Sequence, residues 1–94
     1  MGKVYIAGKI TGLTNYKELF DIAAKELNSK GYATMNPSLM TGGFEWDEYM
    51  HVYFAMIDVC TTCYFLSNWK YSKGAKLEHE YAIVKGKHIE YQED

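Results

Sequence analysis

The chain is predicted to fold as one α/β domain, a parallel four-stranded sheet covered by helices on both faces. Four short β-rich runs alternate with three segments of helical periodicity, in the order βαβαβαβ. The connections are long enough for the crossovers that parallel strands require. Glycine or Asn-Pro punctuates the element ends. The expected strand order is 2-1-3-4, the flavodoxin-like three-layer arrangement, in which the chain reverses direction between strands 1 and 3 and opens a crevice there.

Each element has its local reason. Lys3 to Ala7 is almost wholly apolar, as a strand buried on both faces should be. Gly8 to Thr14 is a glycine-punctuated loop. Asn15 and Glu18 have the spacing of a helix-capping pair, and Tyr16, Phe20, Ala23, Ala24 and Leu27 follow at helical intervals until Gly31 supplies a left-handed cap. Tyr32 to Met35 reads as a second strand, stopped at Asn36-Pro37. After a flexible loop from Ser38 to Gly43, the acids Glu45, Asp47 and Glu48 favour a helix N-terminus. Trp46, Tyr49, Met50, Tyr53, Phe54 and Ile57 continue that helix as a broad apolar stripe. Thr61 to Leu66 is the most β-like run. A polar loop from Ser67 to Lys73 carries Trp69 and Tyr71. Gly74 to Lys85 forms a third helix, expected to pack on the sheet through Leu77, Tyr81 and Val84. Gly86 ends it, and His88 to Tyr91 is a short last strand.

Composition narrows the function. At 94 residues there is one domain (1–94) and no second core. The net charge is −2 and all ten basic residues are lysine, scattered among acids. Without arginine there is no planar bidentate grip on phosphate or guanine, and without a basic stripe duplex nucleic acid is not expected as a partner. Nine tyrosines are too many for the core alone and imply a ligand cleft or a subunit contact. Cys60 and Cys63 form a C-x-x-C, but the three histidines show no paired spacing to complete a zinc site, and the pair straddles the entry to a strand where Cys63 should be an ordinary buried residue. No metal and no redox cofactor are expected. The start lacks an apolar signal region, and no run reaches the roughly 20 residues of a membrane span, so a soluble cytoplasmic protein is expected.

Two turns converge on the crevice. The first strand runs into Gly8-Lys9-Ile10-Thr11-Gly12, and the third strand leads through a polar loop into Ser72-Lys73-Gly74-Ala75-Lys76-Leu77-Glu78. A strand, a polar loop and a helix N-terminus are where such sheets hold small polar ligands. Glu78 falls in the second turn of that helix, sharing a face with Ala75 and Ala82, and a carboxylate facing the crevice can act as nucleophile or acid/base. Taken singly, Glu78 also reads as a solvated helix carboxylate, Tyr5 as a core tyrosine with a satisfied hydroxyl, and Gly8 and Gly12 as turn glycines.

These residues resemble the nucleoside 2-deoxyribosyltransferase superfamily, especially its small bacterial and phage members catalogued as a domain of unknown function. They are also similar to the related deoxynucleoside 5′-monophosphate N-glycosidases. The likeness runs through Val4-Tyr5-Ile6-Ala7-Gly8 with Thr11-Gly12, then Met35-Asn36-Pro37, Trp46, Tyr49-Met50, and Trp69 followed by Ser72-x-Gly74-Ala75-x-x-Glu78. The S-x-G-x-x-x-E motif is its most specific part. The resemblance implies that Glu78 attacks the anomeric carbon to form a glycosyl-enzyme intermediate, resolved by water or a second base, and that Tyr5 holds the glutamate. It implies that Gly8, Lys9, Ile10 and Gly12 wrap the sugar, that Trp69 lines the substrate site, and that Ser72 and Gly74 contact a 5′-phosphate. It also implies homodimers or larger assemblies, since relatives complete their sites across a subunit contact.

The chain departs from that pattern at one point. Relatives carry an aspartate in the middle helix, the proton donor to the leaving base, and another eight residues later; here the positions read Tyr53 and Thr61. Asp58 is the nearest alternative acid, but at 100° per residue it faces about 140° away from Tyr53. Three functions follow: an N-glycosidase or deoxyribosyltransferase acting on a nucleoside or nucleotide, a nucleotide-binding module without turnover, and a tyrosine-rich interaction protein.

Overall fold

Residues 2–93 are described by a computed structural model. The central strands are β1 (Lys3–Ala7) and β3 (Thr62–Phe65), and β2 (Ala33–Met35) and β4 (His88–Tyr91) flank them in the order β2-β1-β3-β4. All pairings are parallel, with Tyr5 opposite both Met35 and Cys63, and Ala7 opposite Phe65. The predicted topology is thus the observed one. β2 begins one residue later than expected and β3 is trimmed to its paired residues.

Alternation along β1 divides the core between two layers. Val4 and Ile6 pack with Phe20, Ala23, Ala24 and Leu27 of α1 (Tyr16–Ser29). Tyr5 and Ala7 face the other way, with Cys63 and Phe65 of β3, against Met50, Tyr53 and Ile57 of α2 (Trp46–Asp58) and Ala82 of α3 (Lys73–Val84). Tyr5, Ile6, Ala7 and Phe65 are all fully buried, as a strand covered on both faces demands. Gly31 and Gly86 take positive φ just past α1 and α3, the expected left-handed caps.

Three local expectations are corrected. The Asn15 side chain caps nothing in α1; the capping bond forms at α2 instead, where the Glu45 amide donates to Glu48 Oε1 at 2.8 Å. Leu77, Tyr81 and Val84 do not seat α3 on the sheet. Leu77 and Val84 are exposed, and Tyr81 turns sideways to stack on Phe54 at 4.3 Å. The buried stripe of α3 is Ala75, Glu78 and Ala82. Two methyl-sized side chains let the helix approach the sheet and α2 more closely than a Leu/Tyr/Val face would permit, and this close seating takes Glu78 inward. Asp58 accepts a hydrogen bond from the Tyr81 hydroxyl at 2.6 Å on the outer surface, far in direction from the crevice, as its helical angle requires.

No helix among the described residues is long and apolar enough to cross a membrane. Cys60 and Cys63 are both free and buried, and the described residues contain no group of ligands that could hold a metal.

Candidate active site

A cavity of about 620 Å³ opens at the carboxyl ends of β1 and β3. One wall is Gly8 to Thr11, the loop after β1. Another is Tyr71 to Ala75, the entry to α3, and α2 contributes Trp46, Tyr49, Met50 and Tyr53. Glu78 forms part of the lining. The loops that the reversal of strand order brings together do meet.

Local chemistry explains each wall. β1 can end at Gly8 because a Cβ there would lie 2.7 Å from Leu66 Cδ1 and 3.0 Å from its Cβ and Cγ, a contact only a hydrogen permits. The Lys9 amide donates to Asn68 Oδ1 at 3.0 Å and its ammonium to the Tyr71 carbonyl at 3.1 Å, so this one residue ties the two loops together. Ser72 is the N-cap of α3, its hydroxyl accepting from the Ala75 amide at 3.1 Å. At Gly74 a Cβ would meet Met50 Sδ at 3.2 Å, so glycine lets the first turn of α3 press against α2.

Glu78 is 4% exposed, and among the described residues no cation pairs with it. Burial pushes its carboxyl pKa up to about 8, partly offset by the neighbouring Tyr5 hydroxyl. Tyr5 is wholly buried, and its hydroxyl is a buried polar atom without a hydrogen-bond partner of good geometry. Its own pKa is driven well above the phenol range by burial and then by the Glu78 charge. The two groups therefore face one another closely enough to be coupled, without a formed hydrogen bond. Tyr5 is a core tyrosine, but not a satisfied one. Tyr53 is 9% exposed and is likewise pushed up to about 12, by burial first and by Glu78 second.

Of the other residues expected at the site, Lys9, Ile10, Ser72 and Gly74 line the cavity with Gly8. Two do not. Gly12 lies in the same loop with φ +79°, where an added Cβ would meet nothing within 4 Å, and it turns the chain without lining the cavity. Trp69 is turned away: its indole stacks on His79 at 4.3 Å and packs against Phe65 and Tyr91 at 5.4 and 5.9 Å. An aromatic ring in a loop beside the outermost strand finds more apolar surface over β4 and α3 than over a wet cleft. Sequence reasoning missed Asn68, which holds the Lys9 amide and whose only signal was a polar residue in the loop after β3, and it missed Tyr16, Lys17, Tyr71 and Lys73 as lining residues of the cavity.

The lining can therefore do three things. Tyr16, Trp46, Tyr49, Tyr53 and Tyr71 offer flat faces to a planar ring. Lys9, Lys17 and Lys73 offer positive charge beside the first turn of α3. Glu78, the sole carboxylate in the lining among the described residues, offers a nucleophile in a dry setting.

Comparison with known proteins bears on the fold and the family. No curated protein matches the chain. Among solved structures, a 2-deoxyribosyltransferase from Leishmania mexicana superposes with a TM-score of 0.74 at 18% sequence identity, over 97% of this chain and 63% of that one. At that identity the likeness is one of fold, and the chain spans less than two thirds of the neighbour's length. The four-stranded parallel sheet of order β2-β1-β3-β4 with its three helices is thus a deoxyribosyltransferase-like fold. Residues 2–91 match the family described as a domain of unknown function (DUF4406), and across nearly its whole length the chain belongs to that family.

Proposed function

We propose that this protein cleaves the N-glycosidic bond of a deoxynucleoside or its 5′-monophosphate, as an N-glycosidase or a deoxyribosyltransferase, with Glu78 as nucleophile. One observation carries the reading: a buried carboxyl with no cation faces an unpartnered buried phenol at the wall of an aromatic-lined cavity. Neither group helps the fold. A buried carboxyl without a cation and an orphaned hydroxyl each cost stability, and both make sense once a ligand's developing positive charge favours the Glu78 carboxylate and the carboxylate draws the Tyr5 hydroxyl into a hydrogen bond.

In the mechanism, the ionised Glu78 oxygen forms a bond to the anomeric carbon as the carbon–nitrogen bond breaks, and water or a second base later displaces it. A positively charged, oxocarbenium-like centre stabilises the carboxylate that burial disfavours, so the nucleophile is activated where charge develops. Tyr5 donates to the Glu78 oxygen that is not attacking and fixes its orientation. The tyrosine faces hold the base, Gly8, Lys9 and Ile10 border the sugar, and the α3 entry at Ser72 and Gly74, with the cavity lysines, receives a 5′-phosphate. The neighbouring fold of a 2-deoxyribosyltransferase supports nucleoside chemistry on this scaffold. The same reading places the protein in the cytoplasm, without duplex nucleic acid as partner or a bound cofactor. It is a homodimer or larger, covering the exposed Leu77, Ile83 and Val84 of α3.

The test is incubation with the deoxynucleosides and their monophosphates, following free base by chromatography beside Glu78→Gln. Release abolished by the substitution supports the proposal. A second reading, a binding module without turnover, is favoured by one observation: no second carboxylate lines the cavity to protonate a leaving base. Ligand-dependent thermal stabilisation with no base release would establish it.

A further inference from the structure

The proposed reaction needs a proton for the departing base, and the position that supplies it in the resembling enzymes is here a tyrosine. We infer that the Tyr53 hydroxyl is itself the proton donor to the leaving base, so that this site runs on a tyrosine–glutamate pair in place of two carboxylates. The inference rests on the glycosidic-bond reading above and concerns how that reading is carried out.

Geometry supports it in three ways. Tyr53 lines the same cavity as Glu78 and is nearly buried. Its ring is held, stacked on Tyr49 at a centroid distance of 6.0 Å and 25° between planes. Tyr49 is in turn anchored by its hydroxyl, which donates to the Thr41 carbonyl at 2.7 Å. Finally, the Tyr53 hydroxyl has no hydrogen-bond partner among the described protein groups, nor is it sealed off as the Tyr5 hydroxyl is, so its proton remains available to whatever enters. No other acid competes for the role, because Asp58 is engaged by Tyr81 on the outer surface.

The step balances. The Glu78 carboxylate bonds to C1′ while the C1′–N pair passes to the base, which takes the Tyr53 proton and leaves neutral. Esterified Glu78 and the Tyr53 phenolate remain. In the second half, the phenolate takes a proton from water as the water oxygen attacks C1′; the sugar leaves with the hydroxyl, and Glu78 and Tyr53 return to their starting states. The electrostatics follow the same sequence. Ionised Glu78 is one of the two main causes of the raised Tyr53 pKa, and ester formation removes that charge at the moment the proton must leave. The titratable groups around the hydroxyl are Glu78 of α3, Tyr49 of α2, Tyr16 of α1 and Tyr5 of β1. Glu78 is the one carboxyl among them, so kcat/KM should climb once with pH and lack the descending limb of a carboxylic acid donor.

The deciding experiment compares Tyr53→Phe with the wild type on paired substrates. Each purine 2′-deoxynucleoside, free or 5′-phosphorylated, is paired with its 7-methyl analogue, whose cationic base leaves neutral without protonation, and each pyrimidine with its 5-fluoro analogue, whose less basic leaving group depends less on a proton donor. Tyr53→Phe should lower base release from the ordinary substrate by about 100-fold or more and from the activated analogue by only a few fold. Turnover of the analogue also shows that the variant is folded. Equal losses on both members of a pair, or no loss on either, overturn the inference while Glu78-dependent release keeps the parent reading alive. Wild-type release that Glu78→Gln leaves intact, or no release at all, overturns both.

Discussion

The most telling perturbation is Glu78→Gln, because stability and activity should move in opposite directions. A glutamate in an unfolded chain ionises near 4.5, whereas burial in the folded chain moves that ionisation to about 8. Below the first value both states are protonated and the group contributes nothing to the balance. Between the two, the unfolded chain releases its proton and the folded chain holds it, so folding is progressively disfavoured as pH rises. Above the second, the folded carboxyl is ionised as well and the full penalty applies. Some 3.5 pH units separate the two ionisations, and at 1.36 kcal/mol for each the penalty reaches about 5 kcal/mol. With only 4% of Glu78 exposed, little solvent screening reduces it.

Glutamine keeps the shape and one polar end but cannot ionise. Urea denaturation of both proteins from about pH 4 to about pH 9 should therefore show curves that nearly coincide at the acid end and diverge steadily, with the variant more stable by several kcal/mol at the alkaline end. At about 4 °C per kcal/mol for a domain of this size, a gap of order 20 °C in Tm should open over the same range. His79, whose pKa is lowered mainly by burial, adds a stabilising trend with rising pH, but it is common to both proteins and cancels in their difference. Parallel curves would refute the reasoning, since they would mean that the carboxyl is hydrated in the folded protein.

Three further outcomes are expected. Tyr5→Phe removes a buried hydroxyl without a partner, so stability should hold or rise by about 1 kcal/mol while base release falls; a stability loss beyond about 1 kcal/mol in urea would show the hydroxyl to be satisfied. Gly8→Ala places a methyl 2.7 Å from Leu66, itself 2% exposed and unable to retreat, and should cost about 1–3 kcal/mol by the same denaturation assay. Trp69→Leu removes ring contacts with Phe65, His79 and Tyr91 and should cost about 1–3 kcal/mol, yet nucleotide affinity by calorimetry should change less than about two-fold; a larger change would bring Trp69 back to the site.

The fold was legible because each element carries its own signature and the connections leave little topological freedom. The apolar run at Lys3–Ala7, the Asn36-Pro37 stop and the caps at Gly31 and Gly86 are local facts, and parallel pairing of four such strands has few solutions. What failed depended on neighbours in space. On α3 the large apolar residues Leu77, Tyr81 and Val84 outweigh two alanines and a glutamate on any hydrophobicity count, but the space between helix and sheet admits only small side chains. Trp69 looked like a cleft residue until His79 and Tyr91, ten and more positions away in the chain, closed around it. The orphaned Tyr5 hydroxyl is not visible in a sequence at all, because satisfaction is a property of surroundings.

That hydroxyl also separates the readings. An interaction protein has no use for a buried carboxyl and a buried phenol that lack partners; selection for stability alone would replace them with Gln and Phe at no expense to an outer surface. Both lie in one place, on adjacent secondary-structure layers: Glu78 lines a cavity that also carries five aromatic rings and three lysines, and Tyr5 sits buried beside it. Defects scattered through a core would signal only marginal packing. Gathered at Glu78 in the cavity wall and at Tyr5 beside it, they fit the proposed nucleophile and the hydroxyl that orients it better than a core selected for stability alone.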